Sequence, residues 1–429
     1  MTFASPPLAA PRARAAAPLW HAAAVVLALM PLGMVAAHRS SPAFLGLAAI
    51  LALLALAREG DLGAFQGRAV AALRTPLGLA ALALAGWGLV SSGWSAFPAL
   101  SLRALGEFWL PVLSAFILAL ALPGRVPRSI PWLLAGAAAL ACLVIVIELR
   151  TGLAFRRQVG LRDAAFIFNR PVLTVLVLLA PLMLWLGRRG VPGWSAAAVL
   201  AVSFALALLR SESGAAKLGL LAGLGTFLIA WAAPRLALRA AMAAVVLVFA
   251  VAPVLGPVTD RLIPASVHTR LKDAHSRDRI DIWLSFNAAI REQPLLGGGF
   301  GVSPRMRETP VASQVPTDRR TLLAVGHPHN AAVQVWAELG LVGAVLAGAV
   351  LLLVLRGLGG LPRLEAAAAL ALVGAAGAVA LVGHGAWQGW WPAGIGAAVV
   401  WFRAIRQPPD GASATCFARV RPSSEETLP

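Results

Sequence analysis

From residue 20 to residue 402, runs of apolar residues follow one another, each bounded by Arg, Gly or Pro. A bilayer-spanning helix needs about 20 mostly apolar residues. The runs predict about 12 spans of this kind, near 20-37, 42-57, 75-93, 105-122, 130-149, 171-187, 192-209, 215-233, 237-257, 330-355, 365-383 and 385-402, the second and last being short. A barrel would alternate polar and apolar positions instead, so the pattern predicts an all-α integral membrane protein. The chain divides into an N-terminal segment 1-19, a transmembrane bundle 20-257 (spans one to nine), a long loop 258-329, spans ten to twelve over 330-402, and a tail 403-429. Pro408, Pro409, Pro422, Ser423, Ser424, Glu425 and Glu426 give the tail a composition expected to stay disordered. The first run follows Arg12 and Arg14 as a signal peptide would, but the many runs behind it favour an uncleaved first helix.

Composition agrees: 59% of the 429 residues are hydrophobic and 13% charged, against roughly 25% charged in an average soluble domain. The net charge of +18 invites a nucleic-acid reading. No contiguous basic stripe interleaved with aromatics supports one, so no nucleic-acid partner is expected. The charge falls between the runs and sets orientation. Arg58, Arg68, Arg74, Arg125, Arg128, Arg188, Arg189, Arg235, Arg239, Arg356, Arg363, Arg403 and Arg406 belong to loops on the N-terminal side, which places both termini in the cytoplasm. Three segments on the other side are basic against this preference. Arg150, Arg156, Arg157, Arg162 and Arg170 lie between spans five and six, Arg210 and Lys217 flank spans seven and eight, and ten basic residues occupy 258-329. Long loops cross regardless of charge, which accounts for 258-329. The short Arg150-to-Arg170 loop points instead to an anionic ligand. Cys142 in an apolar run and Cys416 in the tail are not expected to pair.

Within the long loop, Ser276 through Pro294 reads as an amphipathic helix on the outer membrane surface. Ser276 would be its N-cap, Trp283 its interfacial anchor, and Ile280, Leu284 and Ala288 its apolar stripe, which Asn287 interrupts. Arg277 and Arg279 near its N-terminus suit a phosphate, and they can equally pair with Asp278, Asp281 or lipid headgroups. Pro294-Leu295-Leu296-Gly297-Gly298-Gly299-Phe300-Gly301 lacks the strand and the Lys-Ser/Thr of a nucleotide loop and reads as a helix stop with a tight turn. Gly326-His327-Pro328-His329-Asn330 stands at the outer mouth of the tenth span, with Gln334 and Glu338 beyond it. A neutral imidazole there can take a proton from a sugar hydroxyl, as inverting glycosyl transfer requires. With neither Cys nor a convincing carboxylate nearby, no metal is expected, and no cofactor. Asn330 can cap the helix and His327 can be satisfied by backbone. Glu338 lies nine residues past His329, about 13 Å deeper and on the opposite face, so it is expected to contact Gln334 rather than act with the histidine.

Arg279-x-x-x-Trp283, then Pro294-Leu295-Leu296-Gly297-x-Gly299-Phe300-Gly301, then His327-Pro328-His329-Asn330-x-x-Val333-Gln334-x-x-x-Glu338-x-Gly340-x-x-Gly343 resembles the O-antigen ligase and polymerase superfamily of bacterial envelope glycosyltransferases. The resemblance implies a glycosyltransferase C-type membrane fold in the bacterial inner membrane with a periplasmic active site. It implies metal-independent transfer of a glycan from undecaprenyl diphosphate to a hydroxyl of the lipid A core oligosaccharide or another glycan acceptor. His329 would then activate the acceptor, while Arg279, with Arg170 and Arg277, would bind the donor diphosphate. Family members often carry Ser-Arg before the eighth span; here Gly214 stands at the Arg position, leaving Arg210 or Lys217 to supply the charge. His327, Asn330, Gln334 and Glu338 would support the site. A polymerase of the same superfamily and a transporter or flippase are the other readings.

Overall fold

The computed structural model describes residues 9–264 and 276–405, and every regular element among them is helical. The first half comprises α1 (Ala9–Ala28), α2 (Met30–Ala36), α3 (Ser41–Glu59), α4 (Leu62–Leu73), α5 (Pro76–Ser91), α6 (Pro98–Ala121), α7 (Ile130–Arg150), α8 (Ala154–Gln158) and α9 (Asn169–Leu186). There follow α10 (Gly190–Arg210), α11 (Gly214–Ala232), α12 (Pro234–Val251), α13 (Leu255–Leu262), α14 (Ser276–Glu292), α15 (Pro310–Gln314), α16 (Thr317–Arg320), α17 (Ala331–Leu358), α18 (Arg363–Val382) and α19 (Trp390–Ile405). The tail beyond residue 405, Arg270, Lys272 and the Ser276 side chain lie outside the described residues.

Among the described residues, nine helical segments are long and apolar enough to span a membrane, or eleven if each of two bent pairs counts as one span. The expected first span is broken where Pro31 opens α2, because proline supplies no N–H to the preceding turn; the two pieces meet at 49°. The expected third span is α5, which meets α4 at 81° across Arg74 and Thr75. The expected twelfth begins late: residues 383–389 form a loop, so α19 has only 16 residues. By length and composition the described residues thus hold nine to eleven candidate spans, beside the expectation of about twelve.

Close helix contact depends on small residues. Along α11, a Cβ on Gly219 would meet the Leu176 and Val379 side chains within 3 Å, and one on Gly223 would meet the Ala371 carbonyl at 3.2 Å. Such contacts replace the hydrophobic drive that a lipid solvent does not supply.

Two groups of loops close the ends of the bundle. At one, Arg125 bonds Glu59 and Asp61, each at 3.1 Å, while Trp20 Nε1 donates to Glu59 at 2.7 Å and Arg188 pairs with Glu365 at 3.0 Å. These are loops that the charge pattern assigns to the N-terminal side. The other end holds the cavity described below.

Gly340 breaks α17. Its φ of 62° and ψ of −160° leave helical backbone groups unpaired, and the Pro294–Gly301 turn fills the break. Gly298 N–H donates to the Ala337 carbonyl at 2.9 Å, Gly299 N–H to that of Glu338 at 2.8 Å, and Leu341 N–H to that of Pro294 at 2.8 Å. The approach is backbone on backbone: a Cβ on Gly297 would lie 2.4 Å from the Glu338 carbonyl carbon. The expected tight turn is therefore also an inserted plug.

The expected amphipathic helix is α14, but its Asn287 and Trp283 serve differently from the reading above. Asn287 is buried and does not interrupt the packing; its amide donates to Ala252 O at 2.8 Å and accepts from Gly256 N–H at 2.7 Å, joining the α12–α13 bend. Trp283 is not a free interfacial anchor. Its Nε1 donates to the Pro328 carbonyl at 3.0 Å and fixes α14 to the histidine loop.

Candidate active site

The C-terminal end of α18 organises the site. Helix ends leave carbonyls without intrahelical partners, and here two of them hold the side chains of Arg279 and His329. The Val382 carbonyl accepts from Arg279 Nη1, and the Gly383 carbonyl lies 2.9 Å from His329 Nδ1. A carbonyl only accepts, so His329 carries its proton on Nδ1 and leaves the Nε2 lone pair available. His329 has φ of 53°, one of two non-glycine residues with positive φ among the described residues. Its N–H donates to His327 Nδ1 at 3.3 Å, and the two rings lie 4.1 Å apart. Left-handed backbone at a non-glycine residue is strain that the surrounding contacts must hold. Asn330 caps α17, its side chain accepting from Val333 N–H at 3.1 Å.

Glu338 is fully buried and holds the frame together. It accepts from Gly301 and Ser303 N–H, from Gln334 Nε2 at 2.9 Å and from Trp387 Nε1. Gln334 Oε1 in turn accepts from Ala386 N–H at 2.8 Å. The glutamate thus ties α17 to the glycine-rich plug and to the α18–α19 loop, the structural contact expected of it.

Beside this frame opens a polar cavity of about 280 Å³. Arg170, Arg279, His38, His384, Glu212 and Trp390 line it, together with backbone at Gly214 and Gly383. Its lining comes from five loops that the charge pattern puts on the outer side. Arg170 reaches over the Trp390 ring at 5.4 Å, and its Nη1 is buried without a protein partner. Burial lowers the Arg279 pKa, so its charge is poorly solvated.

Among the described residues, the four histidines near the cavity resist protonation. Burial, chiefly, lowers His329, with the Gly383 hydrogen bond opposing and Arg279 adding to the shift. Burial and neighbouring His329 push His327 down to about 3. Burial and the nearby arginines push His38 down to about 4, and burial with Arg170 and His329 takes His384 to about 4. Each is neutral near pH 7, so the fixed positive charge of the cavity is that of arginine.

The structure brings together Arg170, Arg279 and the His327–His329 loop. It does not bring Arg210, Lys217 or Arg277 to the cavity. Arg210 ends α10 exposed, and Lys217 is exposed on α11. Arg277 is held by Asp260 at 2.7 Å and by Asp281 at 2.8 and 3.1 Å. Sequence reading missed His38 and His384. Each is a polar residue in a short outer-side loop, and His384 was the single residue left between the two last expected spans. Among the described residues, no group of three or more His, Cys, Asp or Glu side chains is placed to hold a metal ion.

An apolar groove of about 590 Å³ runs along α9, α10, α11 and α18. On α9, Leu173 lines the cavity and Leu176 the groove; on α11, Ala215 and Gly219 do the same. A family model described as O-Antigen ligase matches residues 196–348. Over this segment the chain is similar to the O-antigen ligase family. The matched segment runs from α10 into α17, and it contains Arg279, the glycine-rich plug, His327, His329 and Glu338. It supports an O-antigen ligase- or polymerase-type function in a multi-pass membrane protein. No curated protein matches the chain.

Proposed function

We propose that this protein is a membrane glycosyltransferase that moves a glycan from undecaprenyl diphosphate to a hydroxyl of a periplasmic acceptor such as the lipid A core oligosaccharide. The observation that carries the reading is the paired use of the α18 terminus: adjacent carbonyls hold Arg279 and His329 side by side. His329 Nε2 takes the proton of the acceptor hydroxyl as its oxygen attacks the anomeric carbon. The bond from that carbon to the diphosphate breaks, and Arg279 and Arg170 receive the leaving oxygen's charge. The groove suits the apolar tail of such a donor, whose head and tail would need polar and apolar sites in continuity. The site faces the periplasm and the termini the cytoplasm of a bacterial inner membrane, in keeping with the arginine distribution.

Extension of the glycan on its own lipid carrier is the second reading, since the superfamily includes ligases and polymerases. Deleting the gene separates them. A ligase mutant accumulates long lipid-linked polymer and loses capped lipopolysaccharide, whereas a polymerase mutant leaves single repeat units. Restoration of capping by wild type but not by His329→Ala, at equal protein levels, is the expected result; restoration by both would overturn the proposed role of His329.

A further inference from the structure

His384 has the geometry of a ligand-reading group that neither the family match nor the motif pattern assigns. It sits in the loop between α18 and α19, with Nδ1 3.0 Å from the Gly385 carbonyl. That carbonyl accepts only, so the proton is on Nδ1 and Nε2 presents a lone pair. The ring cannot easily turn away, because it packs edge-on against Trp390 and Trp391, with centroids 4.4 and 5.0 Å distant. Nε2 is buried with no protein partner, and the residue lines the same cavity as Arg170 and Arg279.

A neutral imidazole nitrogen in this state can only accept a hydrogen bond. A deprotonated diphosphate offers no hydrogen to it, and both arginines already supply donors suited to that group. What fits Nε2 is a hydroxyl or amide N–H a short distance from the anion. The sugar attached to a lipid diphosphate carries such donors. A buried acceptor discriminates strongly, because a ligand lacking the matching donor leaves it desolvated and unpaired. Resting on the lipid-diphosphate reading above, we infer that His384 is a specificity residue: its Nε2 accepts a hydrogen bond from a hydroxyl or amide N–H of the sugar adjoining the diphosphate.

Two probes test this with the full-length protein in detergent: a polyprenyl diphosphate without sugar, and the same lipid bearing one N-acetylated hexose. His384→Ala should weaken the sugar-bearing probe about tenfold and leave the sugar-free probe unchanged. His384→Gln, whose amide oxygen can accept near the Nε2 position, should recover most of the loss. Arg279→Ala should weaken both probes alike. Equal weakening of both probes by His384→Ala would make His384 part of the anion site and overturn the assignment, as would no change in either. If His384→Ala fails to fold, His384→Gln is read against His384→Phe, which keeps the ring packing but cannot accept; equal affinity of these two for the sugar-bearing probe would likewise overturn it. Binding of neither probe by wild type would remove the lipid-diphosphate reading itself, and the His384 role with it.

Discussion

His329 is held in left-handed backbone, with Nδ1 committed to the Gly383 carbonyl, and the consequences of that commitment are open to measurement. His329→Ala should reduce transfer by about 10²- to 10⁴-fold, the usual worth of a positioned general base, with Tm within a few degrees of wild type. Burial lowers the His329 pKa below the ordinary 6.5, so the free protein keeps this imidazole neutral as pH falls through that value. The acid limb of kcat/KM, which reports the free enzyme, should therefore centre below pH 6.5; a limb centred above 6.5 would show that burial does not govern this group. Arg277 and Arg279 should part company. Arg279→Ala should raise the donor KM, whereas Arg277→Ala, which removes a half-exposed ion-pair cluster, should leave KM near wild type. Sequence reading grouped the two arginines because both lie near one helix start. Their separation depends on Asp260, seventeen residues away across segment 265–275, and on Val382, 103 residues away, and no local pattern encodes such partners.

At the level of elements, the apolar runs made the helices legible, because a lipid-embedded helix needs only length and hydrophobicity. The interruptions were harder to see. Gly340 sits in an expected span just past Gln334 and Glu338, and what makes it a break is the Pro294–Gly301 turn arriving from elsewhere in the chain. The turn itself was visible in its glycines; its docking place was not. Gly340→Ala would set a Cβ 2.3 Å from the Leu295 carbonyl carbon on backbone that favours glycine. It should cost about 2 kcal/mol or more in stability, seen as a lower Tm and reduced yield. Gly225→Ala, on α11 with nothing within 4 Å of the new Cβ, should be neutral or slightly stabilising. Similar losses in both variants would count against the plug. His384 was missed for a related reason: the hydrophobic run reaches nearly to it, and only in the fold do residues 383–389 leave the helix to line the cavity.

Across the whole molecule, arginine distribution separated two sets of loops, and the fold gathers one set around the cavity and the other around Glu59, Asp61 and Arg125. The proposed sidedness rests on this partition. In a Cys416→Ser background, Ser313→Cys should react with an impermeant maleimide in cells with permeabilised outer membranes, and Gln66→Cys only after lysis; both positions are exposed and lie at opposite ends. The reverse labelling would invert the proposed topology. The central claim concerns chemistry, and reconstituted transfer tests it most directly. Purified protein, given a glycan on undecaprenyl diphosphate and a core-oligosaccharide acceptor, should form the glycosidic product and release undecaprenyl diphosphate, with His329→Ala and Arg279→Ala folded but strongly impaired. Full transfer by both variants, or none by wild type with authentic donor and acceptor, would contradict it.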